Sequence, residues 1–151
     1  MRIAVRRARA GDAQAMAELA QRAYADYVPR IGLRPAPMDA DYAHAIGADE
    51  AWVADGDDGA LAGLLVLQPR RDDVLLENVA VDPAYQGRGI GRALLDLAEQ
   101  RAREMGLGAI ELFTHSLMTE NQQIYERRGY VRTAQVDEEG FNRFYYRKDL
   151  P

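Results

Sequence analysis

Apolar and polar positions change period several times along the chain, and each change marks an element. Val74-Leu75-Leu76 and Val79-Ala80-Val81 are short apolar runs suited to one buried strand, which Glu77 interrupts. Pro83 cannot donate a ladder hydrogen bond, so this strand stops near Asp82. Past a glycine-rich stretch the period becomes helical. Ile90, Leu94, Leu97, Ala98, Ala102 and Met105 share one side, and Gly106 sits where a helix C-terminus favours glycine.

The flanking segments read in the same way. Ile3 and Val5 begin a short first strand, and Gly11-Asp12 offers a turn and an N-cap candidate. Residues 13 to about 27 form a helix with Met16, Leu19, Ala20, Ala23, Tyr24 and Tyr27 along one side, stopped by Pro29. Residues 28–38 make a proline-stiffened loop with more apolar side chains than a solvated loop needs, and Asp39 caps a second helix to about Ile46. Residues 51–54 and 60–67 pair as a hairpin about 55–59, and 70–73 turn the chain into the strand before the glycines. A strand over 109–114 leads to a loop at 115–118. The next helix is capped by Thr119 in a capping box with Gln122 and is ended by Gly129. Residues 130–136 and 141–148 close the chain as a hairpin turning at 137–140.

Helices and strands mixed in this order predict an α+β domain. Its sheet is mixed but mostly antiparallel, with about six or seven strands and about four flanking helices. The unit from Val74 to Thr114 supplies the parallel pair. At 151 residues, one domain over 1–151 is the expectation.

Composition narrows the function classes. There is no cysteine, which removes disulfides, thiolate metal sites and a cysteine nucleophile. His44 and His115 are far apart with no carboxylate pattern beside them, so no metal site is expected. No apolar run approaches the ~18 residues of a membrane span. The start Met1-Arg2-Ile3-Ala4-Val5-Arg6-Arg7 lacks a secretory signal, so a cytoplasmic protein without a membrane partner is expected. A net charge of −5 argues against nucleic acid and would suit a cationic amine.

The glycine stretch carries the candidate chemistry. In Gln86-Gly87-Arg88-Gly89-Ile90-Gly91-Arg92, three alternate glycines open a helix behind a strand. Such a backbone turns sharply and approaches a ligand closely. The first helical amides lack intrahelical partners and lie at the positive end of the dipole, which seats a phosphate or pyrophosphate. Arg88 and Arg92 add charge on either side. A dinucleotide fingerprint would need a small residue where Arg92 stands, and a P-loop would need a later glycine and a lysine that are missing. A plain glycine turn capping a core helix remains the alternative for the loop taken alone.

The loop matches Gln/Arg-x-x-Gly-x-Gly at Gln86, Gly89 and Gly91, which resembles the acyl-CoA-binding motif of the GNAT superfamily of N-acetyltransferases. Asn121 and Tyr125 lie one turn apart on a later helix, in a run ending Tyr125-Glu126-Arg127-Arg128-Gly129-Tyr130, and this also resembles the last helix of that family. The resemblance implies acetyl-CoA as cosubstrate, bound between two central strands that splay apart. Val79, Ala80 and Val81 would offer backbone groups to its pantetheine arm. Residues Gln86, Gly87, Arg88, Gly89, Ile90, Gly91 and Arg92 would hold its pyrophosphate, and Asn121 would reach the pantetheine.

The same resemblance implies direct attack of a primary amine of a small molecule, amino-acid-like or polyamine-like, through a tetrahedral intermediate. Tyr125 would protonate the leaving thiolate, and a backbone N–H near Val81 would stabilise the oxyanion. An alkylamine with pKa near ~10.4 needs a base. Glu77, a carboxylate interrupting an apolar strand, is the candidate, with a structural hydrogen bond or ion pair as its other use; Glu111 is a rival. His115 follows a strand near the acyl end and could contact substrate or accept a proton. In this family the acceptor sits against the loop after the first helix. Here that implies Tyr27, Arg30, Ile31 and Met38, with Arg30 or Arg34 able to hold a substrate carboxylate. A non-catalytic acyl-CoA sensor, or acetylation of a protein or peptide amine, is the alternative. The exposed edge of the final hairpin suits a homodimer.

Overall fold

The apolar segments assemble into seven strands and five α-helices in a computed structural model that describes residues 3–57 and 59–151. The strands are β1 (Val5–Arg7), β2 (Glu50–Asp55), β3 (Leu61–Pro69), β4 (Val74–Val81), β5 (Ala109–His115), β6 (Val131–Glu138) and β7 (Phe141–Asp149). The helices are α1 (Ala13–Tyr24), α2 (Tyr27–Ile31), α3 (Tyr42–Ala48), α4 (Ile90–Glu104) and α5 (Thr119–Arg127). One mixed sheet runs β1-β2-β3-β4-β5-β7-β6. Only β4 and β5 are parallel, and the right-hand part of the sheet is completed by β7 against β5.

Each face of the sheet carries its own core. Leu65, Leu67, Val74, Leu76, Ile110 and Leu112 pack with Ile90, Leu94 and Ala98 of α4 and Tyr125 of α5. Val53, Leu64, Val66 and Ala80 pack with Met16, Leu19 and Tyr24 of α1 and Tyr42 of α3 on the other face. Gly63 is needed for the first contact. A Cβ there would lie 2.9 Å from Ile90 Cγ2 and 3.3 Å from the Ala80 carbonyl, so α4 could not approach the sheet so closely.

Several boundaries differ from the sequence expectation, each for a local reason. Helix α1 ends at Tyr24, and Pro29 lies inside α2 rather than stopping a helix. It occupies the first turn, where its missing N–H costs nothing. The cap of α3 is Asp41, whose carboxylate accepts from the His44 amide at 3.0 Å; Asp39 instead pairs with Arg34. Asp12 stands at the start of α1 but turns its carboxylate back to Arg6 and the Arg9 amide. Thr119 is already helical, and Gln122 donates to the His115 and Ser116 carbonyls instead of closing a capping box. The last hairpin turns at Glu139 and Gly140, both at positive φ, so its strands run longer than expected. Met1 and Arg2 of the expected N-terminal segment, and Asp58 of the expected hairpin turn, lie outside the described residues.

Candidate active site

The site begins as a fault in strand pairing. Val66 pairs with Asn78 but Leu67 pairs with Leu76, so Glu77 is the extra residue of a β-bulge. The parallel pairing of β4 with β5 covers only Val74–Leu76 and ends at that bulge. Beyond it, β5 continues along β7 as far as His115 opposite Arg143. The two central strands therefore part into a wedge. The Asp82 amide bonds the Ala62 carbonyl at 2.8 Å, with Gly63 opposite Val81. By antiparallel alternation, the backbone of Asn78 and Ala80 faces β3, while that of Val79 and Val81 faces the open wedge. Ala80 thus offers the wedge no backbone group, in contrast to its neighbours.

The wedge runs into the glycine loop. Asp82 fixes the turn twice over, accepting from the Ala84 amide at 2.9 Å and pairing with Arg22 of α1 at 2.7 Å. Gly87 and Gly89 hold positive φ, at 80° and 82°, where a side chain would be strained. Gly89 is the N-cap of α4 and brings no capping side chain. The amides of Gly89, Ile90, Gly91 and Arg92 make no hydrogen bond among the described residues. Four donors at a helix N-terminus, with exposed Arg92 beside them, form an anion seat. Arg88 stacks on Tyr85 at 5.0 Å and lies 3.8 Å from Asp57.

At the opposite end, a cavity of about 60 Å³ is bounded by both lips of the wedge, with Val79, Asn121 and Tyr125 in its wall. Asn121 and Tyr125 thus do share one face of α5. Tyr125 is a buried residue, and its hydroxyl makes no hydrogen bond among the described residues. Burial pushes that hydroxyl well above the ordinary tyrosine range, so it keeps its proton at neutral pH. His115 reaches the same cavity. The Leu117 amide donates to His115 Nδ1 at 3.0 Å, which leaves the proton of the neutral ring on Nε2. Burial first, and the nearby Arg143 second, lower its pKa. The lone pair of His115 Nδ1 is thus already engaged by the Leu117 amide.

A second cavity of about 350 Å³ lies under α3 and is lined by Tyr42, Val66 and Phe113 together with Asp41, His44, Asp49 and Glu77. The bulge puts Glu77 and Asn78 side by side on this face, and both residues border both cavities. Glu77 has no ion-pair partner among the described residues. Partial loss of water raises its pKa first, and the neighbouring Asp49 carboxylate raises it further. Glu111, the rival, is held by Arg70 at 3.2 Å.

The residues expected to contact the acceptor separate here. Ile31 and His115 border the first cavity. Met38 is buried against α1 instead, with its carbonyl accepting from Gln21. Tyr27 and Arg30 border neither cavity: both bond Glu120 of α5, at 3.0 and 2.9 Å. Burial and Glu120 raise the Tyr27 hydroxyl to about 12. Arg34 is spent on Asp39 and Gln21. Both arginines are thus paired with carboxylates of the chain itself. Sequence reasoning missed Asp49, Asn78, Phe113, Phe141 and Arg143 of the cavity walls. Only Asn78 carried a signal: two adjacent polar residues inside an apolar strand mark a bulge.

Among the described residues no group of side chains could hold a metal ion, and no helix is long and apolar enough to cross a membrane. Comparison with known proteins places this architecture. Residues 13–130 match the sequence profile described as the acetyltransferase (GNAT) family. A mycothiol acetyltransferase of Beutenbergia cavernae is 34% identical over 80 residues, which are 53% of this chain and 27% of that protein. The chain thus spans about a quarter of that relative's length. Nourseothricin acetyltransferase is 26% identical with a TM-score of 0.77, covering 100% of both chains. PaiA N-acetyltransferase from Thermoplasma acidophilum, solved with coenzyme A, is 21% identical with a TM-score of 0.79 over 99% of this chain and 100% of its own. The whole chain shares its fold with these two structures, and it belongs to the acetyltransferase (GNAT) family.

Proposed function

We propose that the chain is one domain that moves an acetyl group from acetyl-CoA to a primary amine of a small cationic molecule. The observation that carries this is the unpartnered hydroxyl of Tyr125, a residue in the wall of the wedge onto which the Val79 and Val81 backbone opens. A plain anion-binding turn would not need it.

The residues fit the cosubstrate, which supplies an acyl group activated as a thioester. The free amides of 89–92 and Arg92 suit its diphosphate. The Val79 backbone and Asn121 suit the amides of its arm. Glu77 takes a proton from the acceptor ammonium, which an amine of pKa near ~10.4 must lose before it can attack. A raised carboxyl pKa makes Glu77 a stronger base for this. The Val81 N–H meets negative charge on the carbonyl oxygen. As the C–S bond breaks, the Tyr125 hydroxyl gives its proton to the departing thiolate, and the second proton of the attacking nitrogen restores the hydroxyl.

A polyamine-like acceptor is favoured over an amino-acid-like one. Arg30 and Arg34 are already engaged, whereas the larger cavity is lined by Asp41, Asp49 and Glu77. The edge strand β6 is exposed along its length, with Val131 at 66%, and supports pairing with a second copy; sedimentation would read that as a doubled mass. A cytoplasmic location belongs to the same proposal.

Thiol release from acetyl-CoA across putrescine, spermidine, free amino acids and short peptides tests it. Turnover of the polyamines above the amino acids is expected. Binding of acetyl-CoA without turnover of any amine would make the chain a sensor, and turnover of peptides alone would move it to protein acetylation.

A further inference from the structure

The strongest unassigned feature is a buried chain of hydrogen bonds across the acceptor side. The Tyr24 hydroxyl donates to Asn78 Oδ1 at 2.6 Å, with the Val79 carbonyl at 3.2 Å as a weaker second acceptor. Asn78 Nδ2 donates to the Tyr42 hydroxyl at 2.9 Å. Tyr42 donates in turn to the Pro37 carbonyl at 2.6 Å. All three side chains are buried.

The direction of this relay is fixed. A hydroxyl has one proton, and that of Tyr42 is spent on Pro37, so Tyr42 must accept from Asn78. Asn78 therefore has to present a donor to one tyrosine and an acceptor to the other. An aspartate lacks the donor, and leucine lacks both. Apolar residues would fill the same space without the cost of burying polar groups.

Position explains what the relay serves. Ala36, Pro37, Glu77, Asn78 and Phe113 border both cavities, so they form the neck between them. The relay ties one wall of that neck, Pro37, to the other, the bulge carrying Glu77. We infer that Asn78 is a positioning residue for the acceptor: with Tyr42 it sets the gap between Pro37 and Glu77 through which the amine reaches the thioester. This rests on the proposed acetyl transfer and adds the element that holds the acceptor in register.

The test is Tyr42→Phe in the full chain, which deletes the bond to Pro37 and the acceptor for Asn78. Amide exchange over residues 38–42 should quicken about tenfold, as expected for one buried hydrogen bond lost. With spermidine, or whichever panel amine the wild type turns over fastest, acceptor KM should rise about tenfold. The Kd for coenzyme A should move less than about twofold. Unchanged exchange would overturn the inference. So would a fall in kcat at constant acceptor KM, which is what mere loss of folded protein produces. If Tyr42→Phe does not fold, Asn78→Ser, which can accept from Tyr24 but cannot reach Tyr42, carries the same expectations. If no amine is turned over by the wild type, the acetyl-transfer proposal fails, while exchange at 38–42 still decides whether the relay holds the loop.

Discussion

The two ends of the wedge are built by different means. The glycine end uses main chain: positive-φ glycines at 87 and 89 and unspent amides at 89–92, within one continuous segment. The acceptor end uses side chains from α1, α3, β4, β5 and β7, gathered from Tyr24 to Arg143. A main-chain site depends on conformation and tolerates most side chains around it. A side-chain site depends on identities that single substitutions change. One end can therefore stay constant while the other diversifies, which fits a fold whose members carry different acceptor names.

The sharpest way to break this contrast is to put a side chain where only backbone belongs. Gly89→Glu forces a residue with a Cβ into the left-handed region, at roughly 1–2 kcal/mol. It also sets a carboxylate beside a diphosphate, a repulsion of about 4 kcal/mol at 4 Å and an effective dielectric of 20. Calorimetry should show coenzyme A binding weakened about a thousandfold, while the strain lowers the melting temperature by only about 2–8 °C, so the folded protein remains to be titrated. Retained affinity would mean that the amides at 89–92 are not the anion seat.

Tyr125→Phe should come next in size, and it separates chemistry from binding. A lost general acid lowers kcat by about a hundredfold, while coenzyme A affinity, held mainly at the glycine end, should change less than about threefold. An equal loss in both quantities would leave Tyr125 as packing between α5 and the sheet, where it already meets Tyr130 and Tyr146.

This contrast also explains which parts were legible beforehand. The glycine loop is contiguous, so its spacing pointed to an anion seat and the family resemblance to acyl-CoA, and Asn121 and Tyr125 are one helical turn apart, so periodicity placed them together. Element order and the parallel β4–β5 pair followed from period changes in the same way. Met38 failed as a contact because loop residues 36–39 fold inward onto α1, and no local pattern distinguishes an inward methionine from a lining one. Asp49 is 28 positions from Glu77 and meets it only through tertiary packing. Phe113 and Arg143 look like ordinary strand residues until the β5–β7 pairing brings them to the cavity.

A subtler effect is expected in the pH dependence. Glu77 must be ionised to take a proton, so kcat/KM falls as pH drops through its pKa. Lost hydration and Asp49 both raise that pKa, so the loss sets in at a higher pH than for an ordinary carboxylate. Asp49→Asn removes the like charge and should shift the acid limb of the kcat/KM profile to lower pH, by about half to one pH unit. Glu77→Gln should remove that limb. A limb unmoved by Asp49→Asn and still present in Glu77→Gln would assign the titration to another group.

The smallest effect expected is at Arg34, and it sharpens the acceptor end by elimination. Its guanidinium lies 2.9 Å from Asp39 and 3.0 Å from Gln21, on the exposed side of the loop and outside both cavity walls. Exposed ion pairs of this kind contribute little, because water screens them and long side chains lose entropy in forming them. Arg34→Ala should therefore change acceptor KM less than about threefold for polyamines and amino acids alike. A tenfold rise confined to amino acids would show Arg34 leaving Asp39 to hold a substrate carboxylate. The acceptor end would then select by an arginine that swings inward rather than by the acids already lining the larger cavity.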